Sequence, residues 1–403
     1  MAVYYNNKGY KEEQQGKYDA AISHLNKAIK NDPNLWEAYN NRGLSYNHKK
    51  MYDKAIADFN KAIDLNSKDY ILYYNRGLAY YNKQMYDQAI SDYNKAIELN
   101  PKDYLSYNNR GYTYYDKQMY DQAISDLNES IKLKPDYATS YSNRGLVYLE
   151  EQMYDVAISD FDKAIELDPK HYKAYNNRGL AYYYKQMYDQ AIADYNKAID
   201  LNSKFYLAYN NRGLIFYEKQ KYKEAISDYN KAIDLYQNDY QAYDNRGLAY
   251  YYMQMFDQAI ADYNKAIDLN QKDYLVYNDR GLAYYYKQMY DLAISDYNKA
   301  IDLNSKDYLV YDNRGLAYHS KQMYDQAIAD YNKAIDLNSK DYLVYDDRGL
   351  AYYYKQMYDQ AIADFSKSIE LNPQFKLAYS DRGNAYLKKG MNKEATQDFN
   401  KAK

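Results

Sequence analysis

The chain has 403 residues, 53 basic against 56 acidic side chains for a formal net charge of -3, no cysteine, 5 prolines and 63 tyrosines. So even a balance offers no excess of Lys and Arg to gather nucleic acid, and the missing cysteines exclude a disulfide framework, a thiolate zinc site and a cysteine nucleophile. The opening Met1-Ala2-Val3-Tyr4-Tyr5-Asn6-Asn7-Lys8 lacks a basic region followed by an apolar core, and no later stretch approaches an uninterrupted apolar run of about 18 residues, so the expectation is an unsecreted, cytoplasmic chain without membrane insertion.

A fixed period organises the rest. Glycine recurs every 34 residues at Gly9, Gly43, Gly77, Gly111, Gly145, Gly179, Gly213, Gly247, Gly281, Gly315, Gly349 and Gly383, without one insertion. If each repeat starts seven residues before its glycine, the starts are Ala2, Trp36, Tyr70, Tyr104, Ala138, Tyr172, Tyr206, Tyr240, Tyr274, Tyr308, Tyr342 and Lys376, a single array over residues 1–403.

Repeat one carries Glu12 where the others have an aromatic, then Glu13, Gln14 and Gln15, as a solenoid cap facing water should. Repeat three shows the common plan. At about 100° per residue, Tyr70, Tyr73, Arg76, Gly77 and Tyr80 share one face of a first helix. Lys83-Gln84-Met85-Tyr86 makes a turn, Asp87 meets the dipole of the next helix, and Ala89, Tyr93, Ala96 and Ile97 form that helix's buried stripe. Pro33, Pro101, Pro135, Pro169 and Pro373 all occupy position 32, just past a helix end, where a missing N–H costs little. Glycine within a helix costs about 0.5 to 1 kcal/mol against alanine, so its recurrence at position 8 predicts two helices crossing too closely for a side chain. Repeat twelve has Thr396 where the others have isoleucine and stops within its second helix at Lys403, which reads as a complete array with a truncated last repeat.

The pattern of Tyr39, Gly43, Tyr46, Ala55, Phe59 and Ala62 resembles the tetratricopeptide repeat, and the resemblance covers essentially the whole chain. It implies an all-α, right-handed superhelical solenoid of twelve helix-turn-helix units whose first helices line a concave inner surface. One departure is systematic. Position 7, usually leucine in that family, is Arg42, Arg76, Arg110, Arg144, Arg178, Arg212, Arg246, Arg280, Arg314, Arg348 and Arg382. Position 23 of the same repeats is aspartate, from Asp58 to Asp398, whereas repeat one has Lys8 and His24. Joint loss in one repeat predicts a charge-assisted pair between the helices of each hairpin.

Nothing points to catalysis. His24, His48, His171 and His319 fall at unrelated repeat positions, no phosphate-binding glycine loop exists, and the adjacent Asp346 and Asp347 diverge by about 100° on a helix. No enzyme activity, cofactor or metal is expected. The remaining stripe of the first helix, positions 2, 5, 6, 9, 12 and 13, nevertheless holds leucine and tyrosine on a nominally free face. Side-by-side packing of first helices is expected to bury most of the leucines at positions 2 and 9, such as Leu275 and Leu282.

Position 6 reads Asn7, Asn41, Asn75, Asn109, Asn143, Asn177, Asn211, Asn245, Asp279, Asn313, Asp347 and Asp381. An amide offers a donor and an acceptor, which suits the backbone of an extended chain, and the ladder is similar to that in the repeat domain of O-linked N-acetylglucosamine transferase, whose catalytic part is missing here. With Tyr183, Tyr184, Tyr251, Tyr252, Tyr285, Tyr286, Tyr353 and Tyr354 it makes the expected peptide-binding groove. Position 5 never holds the lysine with which chaperone-binding members of the family grip a carboxylate. Positions 5 and 6 hold acids only in the last five repeats, namely Asp244, Asp279, Asp312, Asp346, Asp347 and Asp381, so a partner basic toward the carboxyl-terminal half is expected. The reading is a protein-interaction scaffold for an extended or disordered segment, with a self-associating structural module as the alternative.

Overall fold

The computed structural model describes residues 1–403 as paired helices joined by turns. The first hairpin is α1 (Ala2–Gln14) with α2 (Tyr18–Asn31), the second α3 (Trp36–His48) with α4 (Tyr52–Leu65), and the plan continues to Lys376–Lys388 with Asn392–Ala402. First helices begin at the residues where the glycine period starts each repeat. The chain divides into two compact halves, Met1–Ser203 with repeats one to six and Lys204–Lys403 with repeats seven to twelve. No helix is long and apolar enough to cross a membrane.

Local chemistry sets the helix ends. Asp69, Asp273, Asp307 and Asp341 precede first helices and accept the N–H two residues on, meeting orphan donors of the first turn. Within the hairpin turn, Gln84 adopts a left-handed φ of 63°, its N–H donates to Tyr81 O at 2.8 Å, and the Met85 N–H donates to Tyr80 O at 2.9 Å. That is a Schellman closure, for which glycine is the favoured residue at the left-handed position. Only the terminal repeats have it, as Gly16 and Gly390; the others place Lys50 or a glutamine there.

The second-helix stripe is as the period predicts, with Ala89, Tyr93 and Ala96 buried and Ile97 half-buried. The glycine of position 8 marks the close crossing. A Cβ on Gly43 would stand 2.7 Å from the Phe59 ring, and one on Gly281 2.6 Å from the Tyr297 ring. The first helix departs from expectation. Leu72, Asn75, Gly77 and Ala79 are its buried residues in repeat three, while Tyr70, Tyr73 and Tyr80 are half-buried. The reason is that a first helix packs on several sides at once: α3 lies against α1, α2 and α4, so no single stripe describes it.

Candidate functional site

The arginines of position 7 hold the first helix of each hairpin against its second. Arg42 donates through Nε and Nη2 to both carboxylate oxygens of Asp58, at 2.7 and 2.6 Å, and through Nη1 to Asn26 of the preceding repeat at 2.6 Å. Its guanidinium carbon lies 5.6 Å from the Tyr39 ring centre and 6.0 Å from that of Tyr46. The same paired contact recurs in every repeat from two to twelve, ending at Arg382 with Asp398. Burial raises the Asp58 carboxyl while the Arg42 hydrogen bonds oppose that rise. In repeat one, which lacks the arginine, His24 turns instead to Glu12 at 2.7 Å. The arginine ladder is therefore a clamp within and between hairpins, and ligand contact is not needed to explain it.

The asparagines of positions 5 and 6 face each other across repeat boundaries. Asn41 Nδ2 donates to Asn6 Oδ1 at 3.0 Å, Asn75 to Asn40 at 2.9 Å, Asn143 to Asn108 at 3.0 Å, Asn245 to Asn210 at 3.3 Å and Asn313 to Asn278 at 2.9 Å, always 35 residues apart. Where position 5 is Tyr74, its hydroxyl accepts from Asn109 at 3.0 Å. Asn41 and Asn75 are buried; Asn109, Asn143, Asn177, Asn211, Asn245, Asp279, Asn313, Asp347 and Asp381 are half-buried; Asn7, at the first repeat, is exposed. One amide proton of a laddered asparagine thus joins repeats, and the sequence carried the signal in the coincidence of amides at positions 5 and 6.

Three boundaries of the carboxyl-terminal half replace both amides by acids: Asp244 with Asp279, Asp312 with Asp347, and Asp346 with Asp381. Burial pushes the carboxyls of Asp279, Asp346 and Asp347 up to about 7, that of Asp312 to about 8 and that of Asp381 to about 6.

In the amino-terminal half the first helices of repeats four to six border a cavity of about 500 Å3 lined by Asn109, Tyr112, Asn143, Leu146 and Asn177, together with Tyr137, Thr139, His171 and Lys173. Thr139 and Lys173 lie at position 2 of the stripe read from the sequence, whereas Tyr137 and His171, at position 34, lie outside it, and their only signal is that this position varies between repeats. Burial lowers the His171 imidazole, whose Nδ1 accepts the Ala174 N–H at 3.4 Å. In the carboxyl-terminal half Tyr251, Tyr252, Gln254, Phe256 and Tyr286 line a cavity of about 390 Å3. There Phe256 and Tyr286 stack at 5.8 Å and 8°, and Tyr251 meets Tyr286 edge-on at 5.8 Å. Tyr184, Tyr252, Tyr286 and Tyr354 at position 13 are exposed, whereas Tyr183, Tyr251, Tyr285 and Tyr353 at position 12 are half-buried.

Four of the six leucines at position 2 contradict the expectation of burial, while Leu105 and Leu207 are half-buried. Leu275, Leu309, Leu343 and Leu377 are 44 to 54% exposed, because neighbouring first helices meet through positions 5 and 6 and leave position 2 at the open edge. Leu282 and Leu350 at position 9 are half-buried. No group of three His, Asp or Glu side chains is placed to hold a metal ion.

The tetratricopeptide repeat model matches residues 36–69, 70–103, 138–171, 172–205, 206–239, 240–273, 274–307 and 311–341, and a related TPR repeat model matches 9–50, 111–152 and 349–390. No curated protein matches the chain. Among solved structures it is similar to the APC/C hetero-tetramer Cut9-Hcn1, at 16% identity over 96% of each chain with a TM-score of 0.52. It is also similar to a tetratricopeptide repeat protein from Parabacteroides merdae, at 20% identity over 62% of this chain and 98% of that one with a TM-score of 0.51. At these identities the likeness is one of fold.

Proposed function

This chain belongs to the tetratricopeptide repeat family, and on that premise we propose that it is a non-enzymatic protein-interaction scaffold whose groove holds an extended peptide or disordered segment. The observation that carries the reading is the cavity of about 500 Å3 over repeats four to six, where Asn109, Asn143 and Asn177 stand beside Tyr112, Tyr137 and Leu146. Amides there can meet a peptide backbone with the groups not engaged between repeats, and the rings and leucine can cover its side chains. In the carboxyl-terminal half the position-12 and position-13 tyrosines would supply contacts of their own, and basic residues of a segment bound there would face Asp279, Asp347 and Asp381.

A second reading, self-association, is favoured by one observation. The exposed Leu275, Leu309, Leu343 and Leu377 occupy the same position in four successive repeats, an apolar row of the kind that a protein surface covers. The test of both is peptide selection by phage display on the full chain, followed by titration calorimetry of a selected peptide and light scattering over a concentration series. Groove binding predicts that Tyr112→Ala with Asn143→Ala weakens the peptide at least about tenfold, on the order of 1.4 kcal/mol. Unchanged affinity in that variant would refute the groove, and growth of mass with concentration that Leu309→Ser abolishes would favour self-association.

A further inference from the structure

We infer that the three acid–acid boundaries of the carboxyl-terminal half each hold a proton between their facing carboxyls, making that half a pH-responsive module that loosens as the proton is lost. The geometric ground is the register of the amide boundaries. In those, Nδ2 of the later asparagine gives its proton to Oδ1 of the earlier one, as from Asn245 to Asn210 and from Asn313 to Asn278. At the acid boundaries the same two places hold Asp244 with Asp279, Asp312 with Asp347, and Asp346 with Asp381.

An ionised carboxylate only accepts hydrogen bonds, so two of them in this register have nothing to exchange. The structure records that failure at a single repeated atom. Oδ1 of Asp244, Oδ1 of Asp312 and Oδ1 of Asp346 are buried without a hydrogen-bond partner, and this is the atom that accepts the amide proton in Asn210 and Asn278. Asp346 as a whole is 3% exposed, so water does not substitute for the missing donor. A proton on one carboxyl of each pair converts it to a donor and restores the bond that the amides make.

Neighbouring charges do not remove the need. Asp273 acts on Asp244 and Asp279, Asp341 acts on Asp312 and Asp347, Asp381 acts on Asp346 and Asp347, and Asp346 acts on Asp347; each of these neighbours is acidic. Tyrosines also stand around them: Tyr217, Tyr251, Tyr263 and Tyr297 near Asp279, Tyr308 near Asp312 and Tyr331 near the Asp312 and Asp347 pair. The nearby arginines are held by their own aspartates, Arg280 by Asp296, Arg314 by Asp330 and Arg348 by Asp364. Burial accordingly holds the carboxyls of Asp279, Asp312, Asp346, Asp347 and Asp381 at about 6 to 8 in the folded chain and pushes that of Asp244 well up, against about 3.9 when unfolded. The folded state then binds protons that the unfolded state does not, so the stabilisation is full below about 3.9 and is lost as pH rises from there through about 6 to 8.

The test uses the full chain and two measurements. Carbon-13 titration of the aspartate carboxyls should show signals with midpoints between about 6 and 8, which disappear when all six are replaced in Asp244→Asn, Asp279→Asn, Asp312→Asn, Asp346→Asn, Asp347→Asn and Asp381→Asn. Urea unfolding should show a midpoint that falls from about pH 5 to pH 8 in the unsubstituted chain and stays level in the six-fold variant, which copies the Asn278 and Asn313 boundary. Carboxyl signals that all titrate near the ordinary aspartate value, or an unchanged pH slope in the variant, would overturn the inference. The titration is read on the unsubstituted chain, so it decides even if the variant does not fold.

Discussion

The two halves of the chain use one hairpin, one turn and one arginine clamp, yet they join successive repeats differently. In the amino-terminal half, Asn6 with Asn41, Asn40 with Asn75 and Asn108 with Asn143 form neutral donor–acceptor pairs that are satisfied at any ordinary pH. In the carboxyl-terminal half, two boundaries keep amides and three have acids in the same register. The lesson is that a repeat backbone fixes which positions face each other but leaves their chemistry open, so halves of nearly identical fold can differ in what conditions they tolerate.

The largest expected effect transfers the acid chemistry to the other half. Asn40→Asp combined with Asn75→Asp, at two buried sites, should cost about 2 to 4 kcal/mol at pH 8 and under about 1 at pH 5, read by urea unfolding. A cost that is the same at both pH values would break the comparison. The arginine clamp should instead act alike in both halves: Arg178→Ala and Arg280→Ala should each lose about 1 to 3 kcal/mol, because the aspartate left behind is largely desolvated. A double-mutant cycle on Arg178 and Asp194 with zero coupling would remove the clamp from the account.

A smaller effect concerns position 24. Tyr195, Tyr263 and Tyr297 bury hydroxyls that make no hydrogen bond, whereas Phe161 and Phe365 fill the same place without one, so here the difference runs between repeats in both halves. Tyr263→Phe should therefore raise stability by about 1 kcal/mol and Phe161→Tyr should lower it by a similar amount, as shifts in thermal midpoint. The smallest expected change is in the turn. Gln118→Gly and Gln288→Gly, at left-handed φ of 59° and 61°, should each stabilise by up to about 1 kcal/mol in their respective halves. A loss at either site would show that the glutamine side chain has a further role.

Much of this architecture was legible in the sequence because a strict period makes each residue testify twelve times over. The glycine spacing located the first helices, and the joint loss of arginine and aspartate in repeat one identified the clamp. What escaped was the boundary between repeats. Asn41 reads as a groove residue on its own helix, and only the neighbouring Asn6 shows that one of its protons is engaged. The first-helix core at Leu72 and Ala79 escaped for a related reason, since a helix packed on several sides has no single apolar stripe to read. In the candidate groove, Tyr112 and Leu146 lie on the expected stripe, but Tyr137 and His171 come from the turn preceding a first helix, where periodicity says nothing about direction.

Amide hydrogen exchange on the full chain, at about pH 5 and pH 8 and corrected for the intrinsic dependence of exchange on pH, tests most directly the claim that boundary chemistry sets the two halves apart. Protection across residues 240–286 and 308–388 should fall at the higher pH while protection across 36–150 is unchanged. Equal loss in both halves, or none in either, would contradict it.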